Sequence, residues 1–445
     1  MVIQWNEKTL PVICDCDIAV VGAGPGGIGA AVIAGKRGKN VAVFEQAGRP
    51  GGCAALCEVS PFMRSGDSKR FFDAPVFADW LKRIINYLPE TLRTRQDSAE
   101  CKDSSGRLIT PAIAALAAED MLLEAGVKLF YHFRLVDVIM DEEKKKIEYI
   151  ILHSKSGFAA AKAKIFVDSS GDGDLAALAG CPFEYGDEQG GCQPMTTCFD
   201  MGDAQVMGGD VRSAEFQEVS QKLYQQAVKE GKLSSPRENL LCFNAHDKNA
   251  VHFNTTRIIG MDATDGVMRS QAEIEGRKQI REYITFLREY MPGFENSSLR
   301  SFGDAGVRES RRICGKSYLT REEVSSCKHF ADGIARCNYG IDIHNPRGKG
   351  TEVTYFKPED YYEIPFGSLI PQNVENLLIG SRCISGDVAA HSSFRVMPTV
   401  CSIGQAAGMG AAVAIEKGLT VPELDGTIIR KELNIAGAQL DQDNI

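Results

Sequence analysis

Residues 17–52 have the sequence DIAVVGAGPGGIGAAVIAGKRGKNVAVFEQAGRPGG. The apolar run at 18–21 comes just before the glycines and is typical of a buried strand in a parallel sheet. Small residues over 28–37 predict a helix, and a second predicted strand at 40–44 ends at Glu45. This order of strand, glycine turn, helix, strand and acid predicts a dinucleotide-binding unit.

The glycines of this turn are expected to have different roles. Gly22 allows the tight turn, Gly24 lets a pyrophosphate approach the backbone, and Gly27 lets the helix and strand pack closely. The helix that follows Pro25 and Gly26 presents free N–H groups at its N-terminus to an anion. We therefore place the pyrophosphate of the dinucleotide at this turn.

The residues after the second strand indicate which dinucleotide is bound. Glu45, followed by Gln46, lies where a carboxylate accepts hydrogen bonds from an adenosine ribose. Arg49, Gly51 and Gly52 belong to an R-x-G-G sequence. This sequence resembles the extension found in flavoproteins of the glutathione-reductase group, which bind FAD rather than NAD.

Composition and charge limit the classes of partner. With 445 residues the chain is long enough for two or three domains, and its net charge of -9 without a basic stripe argues against nucleic acid. Residues 1–10 do not resemble a signal peptide, and no apolar run suggests a membrane span. We expect a cytoplasmic protein without a membrane partner, whose 14 cysteines are reduced thiols.

Differences in composition and hydrophobic pattern along the sequence predict two domains, one of them discontinuous. Residues 1–181 form the first part of the FAD-binding domain, with an excursion at 60–110 that helps to cover the active site. Residues 182–362 form a substrate or cap domain with a long helix at 270–290, and residues 363–445 complete the FAD-binding domain. The predicted fold class is α/β, a Rossmann-like FAD-binding domain of glutathione-reductase type with an inserted α+β cap domain.

Two later segments are expected to return to the dinucleotide site. The strand within 163–174 ends in small residues that include Gly171 and Asp172, as a second flavoprotein glycine motif does. A strand at 377–380 leads through Asp387 to a helix that begins near Pro398.

Taken together, these segments stand in the order found in a bacterial family of FAD-dependent oxidoreductases within the glutathione-reductase-like group. The resemblance covers nearly the whole chain and implies FAD and the fold firmly, and the reaction only loosely. One departure is that Cys53 and Cys57 stand where small or hydroxyl residues are expected. The predicted cofactor-binding residues are Gly22, Gly24, Pro25, Gly26, Gly27, Glu45, Gln46, Arg49, Gly51, Gly52, Gly171, Asp172, Asp387 and Met397.

The predicted chemistry is hydride transfer at the flavin. The chain has one complete G-x-G-x-x-G, so bound NAD(P)H is not expected and oxygen, a quinone or a protein carrier is left as the unknown electron acceptor. Hydride transfer needs a positioned substrate carbon, a group that exchanges a proton and an electrostatic clamp. His391 and Arg395 are predicted at the reacting end of the flavin. The candidates for the clamp are Arg308, Arg311 and Arg312, since guanidinium groups bind carboxylates, although ion pairs with Glu309 and Asp304 explain the arginines equally well.

The predicted function is an FAD-dependent oxidoreductase that transfers a hydride between flavin and a small polar metabolite: a hydroxy acid, a sugar or an unsaturated acid. The alternative is a flavin-containing electron-transfer subunit that works with a partner protein. The cysteines lack a dense C-x-x-C pattern, so no metal or iron–sulfur site is predicted. The identity of the substrate, the direction of the reaction, self-association and redox activity of Cys53 and Cys57 stay open.

Overall fold

The computed structural model describes residues 9–63, 66, 71–93, 107–247, 249–357 and 359–441. Within them the helices are α1 (Pro25–Lys36), α2 (Val76–Tyr87), α3 (Pro111–Glu124), α4 (Asp174–Leu178), α5 (Ala214–Lys229), α6 (Gly266–Tyr290), α7 (Arg321–Ser325), α8 (Val388–Phe394), α9 (Met397–Lys417) and α10 (Gly426–Ile435). The described strands are β1 (Val12–Val21), β2 (Val41–Glu45), β3 (Pro61–Phe62), β4 (Arg107–Leu108), β5 (Lys128–Tyr131), β6 (Arg134–Met140), β7 (Ile147–Ser154), β8 (Gly157–Asp168), β9 (Phe183–Tyr185), β10 (Phe199–Gly202), β11 (Cys242–Asn244), β12 (Val251–Phe253), β13 (Ser298–Phe302), β14 (Arg311–Ile313), β15 (Gly333–Cys337), β16 (Ile341–His344), β17 (Thr351–Thr354), β18 (Tyr362–Pro365) and β19 (Leu377–Ile379).

The central sheet is mixed, and its parallel part carries the predicted dinucleotide segments. Its described strands lie in the order β5, β2, β1, β8, β7, β6, and β19 also pairs with β8. The pairs β5 with β2, β2 with β1, β1 with β8 and β8 with β19 are parallel, whereas β6 and β7 are antiparallel to their neighbours. The carboxyl ends of β1, β2, β8 and β19 therefore meet at one edge, where ligands of α/β sheets bind.

Helices α1 and α9 approach each other so closely that their backbones are in contact. A Cβ added at Gly404 would lie 1.8 Å from the carbonyl oxygen of Gly26, and one added at Gly408 would lie 2.2 Å from that of Ala30. Glycine and alanine side chains are small enough to allow this separation. The small-residue composition of both helices is thus a requirement of their packing.

Helix α9 corrects one expectation from the sequence. By length and composition, Met397–Lys417 could cross a membrane, with a mean hydropathy of 1.3 in its most apolar window. However, 94% of that window is buried inside the protein, where α9 packs against α1 and the central sheet. A helix that is apolar on every side is expected in a protein core as well as in a membrane.

A second antiparallel sheet lies within the predicted cap domain. Its described strands have the order β11, β12, β10, β13, and buried residues of α5 and α6 belong to the same apolar cluster as those of β10 and β12. It has its own apolar cluster, in which the rings of Phe199 and Phe253 stack with centroids 5.0 Å apart. The domain boundaries after residues 181 and 362 stay a prediction.

Part of the predicted excursion at 60–110 lies outside the described residues. In its described part α2 packs against α3, and the Trp80 indole donates a hydrogen bond to the Ala114 carbonyl oxygen at 2.9 Å. Pro61, Met63, Thr91 and Leu92 line the large cavity described below. The excursion therefore contributes to the walls of that cavity.

We predict that Gly408→Ala lowers the midpoint of thermal unfolding. The added methyl group meets the Ala30 carbonyl oxygen, and such overpacking costs about 1–3 kcal/mol, more than alanine gains in helix propensity. Gly266→Ala is the matched control, since a Cβ there meets nothing within 4 Å. Equal unfolding midpoints for the two variants would contradict this account of the α1–α9 contact.

Candidate functional site

A cavity of about 2400 Å³ opens at the carboxyl edge of the parallel strands. At one end it is lined by residues that follow β1, β2, β8 and β19, and at the other by residues of the second sheet and of β16 and β17. Pockets for drug-sized ligands measure roughly 300–1,000 Å³. This cavity has room for a dinucleotide and a further ligand.

The space around each glycine of the first turn agrees with its expected role. Gly22 has a φ of +96°, which favours glycine, and an added Cβ would lie 2.5 Å from the Ser169 carbonyl oxygen. A Cβ on Gly27 would lie 1.9 Å from the Gly22 carbonyl oxygen, so helix and strand touch here. By contrast, the nearest atom to a Cβ on Gly24 is the Gly52 Cα at 3.8 Å, and Gly24 lines the cavity. Gly24 thus leaves space for a ligand beside the backbone.

Glu45 is held with both carboxylate oxygens in place. Its Oε2 accepts a hydrogen bond from the Ala23 N–H at 2.7 Å, and its Oε1 accepts one from the Ala47 N–H at 2.8 Å. Burial raises the pKa of Glu45, while these two backbone donors oppose the shift. A carboxylate has about four acceptor positions, so two stay available for ribose hydroxyl groups.

Two helix N-termini point their free N–H groups at the cavity. Neither α1, preceded by Gly24, nor α9, preceded by Val396, has a side-chain cap or an acidic residue in its first turn. Pro25 and Gly26 of α1 and Met397 of α9 line the cavity. Uncapped N-termini attract anions through their N–H groups and the helix dipole. The cavity therefore offers two places for negatively charged groups of a cofactor.

The turn after β8 completes this end of the cavity. Asp168 orders the turn by accepting hydrogen bonds from the Ser170 N–H at 3.0 Å and the Ala176 N–H at 2.9 Å. Gly171 and Asp172 line the cavity, and Asp172 forms an ion pair with Arg382 at 2.6 Å. The buried Arg382 Nε has no hydrogen-bond partner among the described residues, so a donor is left for a ligand.

Residues 17–433 match the family model of FAD dependent oxidoreductases. The chain belongs to this family, and its cofactor is FAD. The site fits the cofactor, because Glu45 can hold the adenosine ribose and the N-terminus of α1 beside Gly24 can hold the pyrophosphate.

Solved structures similar to this FAD-dependent oxidoreductase include a geranylgeranyl bacteriochlorophyll reductase-like protein from Thermoplasma acidophilum. The two are 10% identical over 95% of this chain and 91% of that one, with a TM-score of 0.45. The flavin-dependent brominase Bmp2 is 11% identical over 95% of this chain and 83% of the brominase, with a TM-score of 0.44. The myxobacterial chondrochloren halogenase CndH is 13% identical over 94% of this chain and 78% of the halogenase, with a TM-score of 0.41. No curated protein matches the chain.

The far side of the cavity carries a chain of hydrogen-bonded polar side chains, which we call the polar wall: Tyr339, Asp342, His344 and Thr351. The Tyr339 hydroxyl donates to Asp342 Oδ2 at 2.9 Å, and His344 Nε2 lies 3.4 Å from the same oxygen. Thr351 Oγ1 lies 3.2 Å from His344 Nδ1. If His344 donates from Nε2 to the carboxylate, its Nδ1 accepts from Thr351, and both ring nitrogens are satisfied.

The electrostatics of the polar wall favour an anionic Asp342 and a neutral His344. Burial opposes ionisation of Asp342, but the hydrogen bond from His344 and the charge of Arg395 hold the pKa of Asp342 well below its usual range. Burial and the charge of Arg308 lower the pKa of His344 to about 3. At neutral pH the wall therefore presents a carboxylate supported by a neutral imidazole and a phenol.

Of the predicted catalytic residues, the structure brings Arg308 and Arg395 to the cavity. Arg395 Nη2 lies 3.5 Å from Asp342 Oδ2, which joins it to the polar wall. Arg312 lies elsewhere: it donates to the carbonyl oxygens of Gly186 and Gly386 and forms an ion pair with Glu309 at 2.8 Å. Arg312 thus connects these segments through hydrogen bonds and an ion pair, and it is not part of a substrate clamp.

The expected position of His391 is also corrected. A short helix that the sequence did not predict, α8, begins after Asp387, whose side chain accepts a hydrogen bond from the Ala390 N–H at 2.8 Å. This helix turns His391 inward, where its side chain is fully buried against the ring of Phe394 and is not part of the cavity lining. Asp387, predicted beside the cofactor, instead caps α8 and also accepts from the Arg321 N–H at 2.6 Å.

Most of the predicted cofactor-binding residues line the cavity, with three further exceptions. Gly27 packs against Gly22. Gly51 has a φ of +112° and shapes the turn, and the exposed Arg49 donates to the Ala55 carbonyl oxygen at 3.1 Å. The residues that line the cavity are Gly22, Gly24, Pro25, Gly26, Glu45, Gln46, Gly52, Gly171, Asp172 and Met397.

The sequence reasoning missed the polar wall. Asp342 and His344 are two residues apart on β16, so they share one face of the strand. Two titratable residues at this spacing, flanked by Ile341 and Ile343, were a usable signal. Among the described strands, β16 pairs only with β17. The direction in which this small sheet faces is therefore set by its packing in the folded chain, and no hydrophobic pattern in the sequence predicted that its polar face lies along the cavity.

We predict that Gly24→Val yields folded protein that lacks FAD. The valine side chain would extend into open cavity beside Gly52, where the pyrophosphate is expected, so folding is spared and the cofactor is excluded. Flavin absorbance per mole of purified protein measures the loss, and circular dichroism measures the fold. As a contrast, Gly26→Val should fail to fold, because its Cβ would lie 1.9 Å from the Gly380 carbonyl oxygen. Full FAD occupancy in Gly24→Val would place the pyrophosphate elsewhere.

Cys53 and Cys57 both line the cavity and are free thiols. A hydrogen bond with Cys57 and the charge of Arg382 lower the pKa of Cys53 to about 6, against the effect of burial. The same hydrogen bond and burial raise the pKa of Cys57. One thiolate in a pair of neighbouring thiols is the arrangement in which a reactive cysteine occurs.

We therefore expect Cys53 to become a thiolate at a lower pH than an ordinary cysteine, because the Cys57 thiol and the charge of Arg382 lower its pKa. Thiolate absorbance in the ultraviolet, titrated from acidic to neutral pH, should show a step that the Cys53→Ser variant lacks. Cys314→Ser is the control, since burial raises the pKa of Cys314 and its thiol stays protonated in this range. Identical titration curves for the protein and Cys53→Ser would refute the assignment.

Proposed function

We propose that the protein transfers a hydride between bound FAD and a small polar metabolite such as a hydroxy acid, a sugar or an unsaturated acid. The observation that supports this most is that one cavity runs from the turn at Gly24 to Arg308, Arg395 and the polar wall. An FAD-binding domain of glutathione-reductase type is part of the proposal. It is supported by the parallel strands that continue into the antiparallel pair β6 and β7.

The side chains of the cavity can bind, orient and exchange a proton, while FAD supplies the acceptor or donor of the hydride. Arg395 and Arg308 offer guanidinium groups to polar substituents of the substrate. The Asp342 carboxylate can exchange a proton with a substrate hydroxyl group once a substrate anion pairs with Arg395, because the charge of Arg395 helps to hold the pKa of Asp342 low, and His344 is its hydrogen-bonded support. The charge of Arg308 contributes, after burial, to the low pKa of His344, so a substrate group that pairs with Arg308 would raise that pKa.

The alternative, an electron-transfer subunit that depends on a partner protein, makes a different prediction. Such a subunit would not be reduced by a metabolite in the absence of its partner. Anaerobic mixing of the purified protein with a metabolite panel, followed by loss of the flavin's visible absorbance, separates the two functions. The electron acceptor, a cytoplasmic location and self-association rest on the sequence alone and stay part of the proposal.

We predict that Asp342→Asn slows flavin reduction by substrate by about 10²–10⁴-fold, the usual scale for a lost general acid or base. FAD content should not change, because Asp342 lies away from the turn at Gly24 that is expected to hold the pyrophosphate. Asp187→Asn is the matched control: its carboxylate pairs with the exposed Arg347 at 2.7 Å and is not in the cavity lining. Stopped-flow absorbance of the reduction half-reaction measures the rates. Equal rates for the two variants would remove Asp342 from the proton path.

A further inference from the structure

Three arginines line one part of the cavity and form what we call the arginine cluster: Arg237, Arg308 and Arg395. Arg237 is only 8% exposed, and its Nε has no hydrogen-bond partner among the described residues. Arg308 donates one hydrogen bond, to the Pro194 carbonyl oxygen at 2.7 Å. Arg395 is oriented by the Asp342 carbonyl oxygen at 3.1 Å, and its buried Nε also lacks a partner within the described chain.

The carboxylates near the cluster do not balance its charge. Asp342 is the carboxylate that faces Arg308 and Arg395. Glu309 is taken up by Arg312, and Glu238, which also lines the cavity, pairs with the buried Arg257 at 3.8 Å, so these two pairs add no net charge. Three guanidinium groups against the single carboxylate of Asp342 leave a surplus of two positive charges.

Such a surplus is unfavourable in the absence of a ligand. Burial, the larger cause, and the charges of Arg395 and Arg237 lower the pKa of Arg308 to about 9, so this guanidinium group is both removed from water and repelled by its neighbours. Buried cations are normally paired, because removing a charge from water costs several kcal/mol that only an opposite charge offsets. The unpaired guanidinium donors therefore have the chemistry of an anion site.

We propose that the arginine cluster binds a substrate that carries two negative charges, as a dicarboxylate or a phosphate ester does. This inference rests on the proposed function, since it names the class of substrate that the flavin site takes. Guanidinium groups bind carboxylate and phosphate oxygens through paired N–H donors. The substrate anion offsets the charge of Arg308, which is the second cause of the low pKa of His344 after burial, so that pKa is higher in the complex than in the free protein.

The test uses the FAD-bound protein, so that the pyrophosphate site is filled. Succinate and inorganic phosphate are added as non-reacting probes, and potassium chloride of equal ionic strength is the reference. We expect the midpoint of thermal unfolding to rise saturably with one of the two anions, since a ligand that binds only the folded state stabilises it. Saturation by succinate identifies a dicarboxylate site, and saturation by phosphate identifies a phosphate-ester site.

The variants separate a ligand site from a structural one. Arg237→Met keeps an apolar stem and removes the charge, so it should raise the unfolding midpoint without added anion and weaken anion binding on the order of 10–100-fold. A structural arginine would show the opposite, a lower midpoint. Arg347→Met is the matched control, because Arg347 is exposed, pairs with Asp187 and should leave the anion response unchanged. Arg308→Lys gives a second variant that keeps the charge but loses the guanidinium fork.

Two results would overturn the proposal: neither anion acts beyond chloride, or Arg237→Met both lowers the midpoint and keeps the anion response. These readouts are independent of turnover. If an anion binds but no dianionic metabolite reduces the flavin, the proposed hydride transfer is wrong, whereas the anion site at the arginine cluster is confirmed. If metabolites without charge reduce the flavin and the anions do not bind, the oxidoreductase stands and the arginine cluster is not its substrate site.

Discussion

Backbone contact around Gly26 is the constraint on which the rest of the structure depends. A Cβ there would lie 1.9 Å from the Gly380 carbonyl oxygen, and a Cβ on Gly404 would lie 1.8 Å from the carbonyl oxygen of Gly26. The start of α1, the end of β19 and the middle of α9 are therefore pressed together without intervening side chains. Because of this contact the uncapped N-termini of α1 and α9 open into one cavity, as FAD with its separated charged groups requires.

The two ends of the cavity solve different electrostatic problems. At the cofactor end, backbone N–H groups and the buried carboxylate of Glu45 supply partial and full charges that hydrogen bonds already hold in place. At the other end, the arginine cluster exceeds its carboxylate partners, and the polar wall keeps His344 neutral beside Asp342. The hydrogen-bonded groups around Glu45 suit a permanently bound cofactor. The unbalanced charge of the arginine cluster suits a ligand that binds and dissociates and whose negative charge alters the site while it is bound.

Local patterns were sufficient to predict the segments that line the cavity around Gly24. The glycine spacing at 22–27, the acid at Glu45 and the strand before Gly171 each report a contact made by neighbouring residues, so they could be predicted one segment at a time. The charged residues around the polar wall could not be predicted in this way. His391 and Arg395 are four residues apart, and the short helix α8 turns the first into the core while the second reaches the cavity.

By itself the sequence determined the α/β class, the dinucleotide turn and the family, because glycine turns and apolar strands depend on short-range sterics and burial. Only the tertiary structure decided which charged side chains lie together at the polar wall of the cavity. The residues that meet there come from segments far apart in the chain: Arg237, Arg308, Asp342 and Arg395. Whether each arginine is paired depends on which carboxylates lie near it in the folded protein, as Asp342 lies near Arg395. Charge balance is a property of a neighbourhood, and the order of residues along a chain does not specify that neighbourhood until the chain has folded.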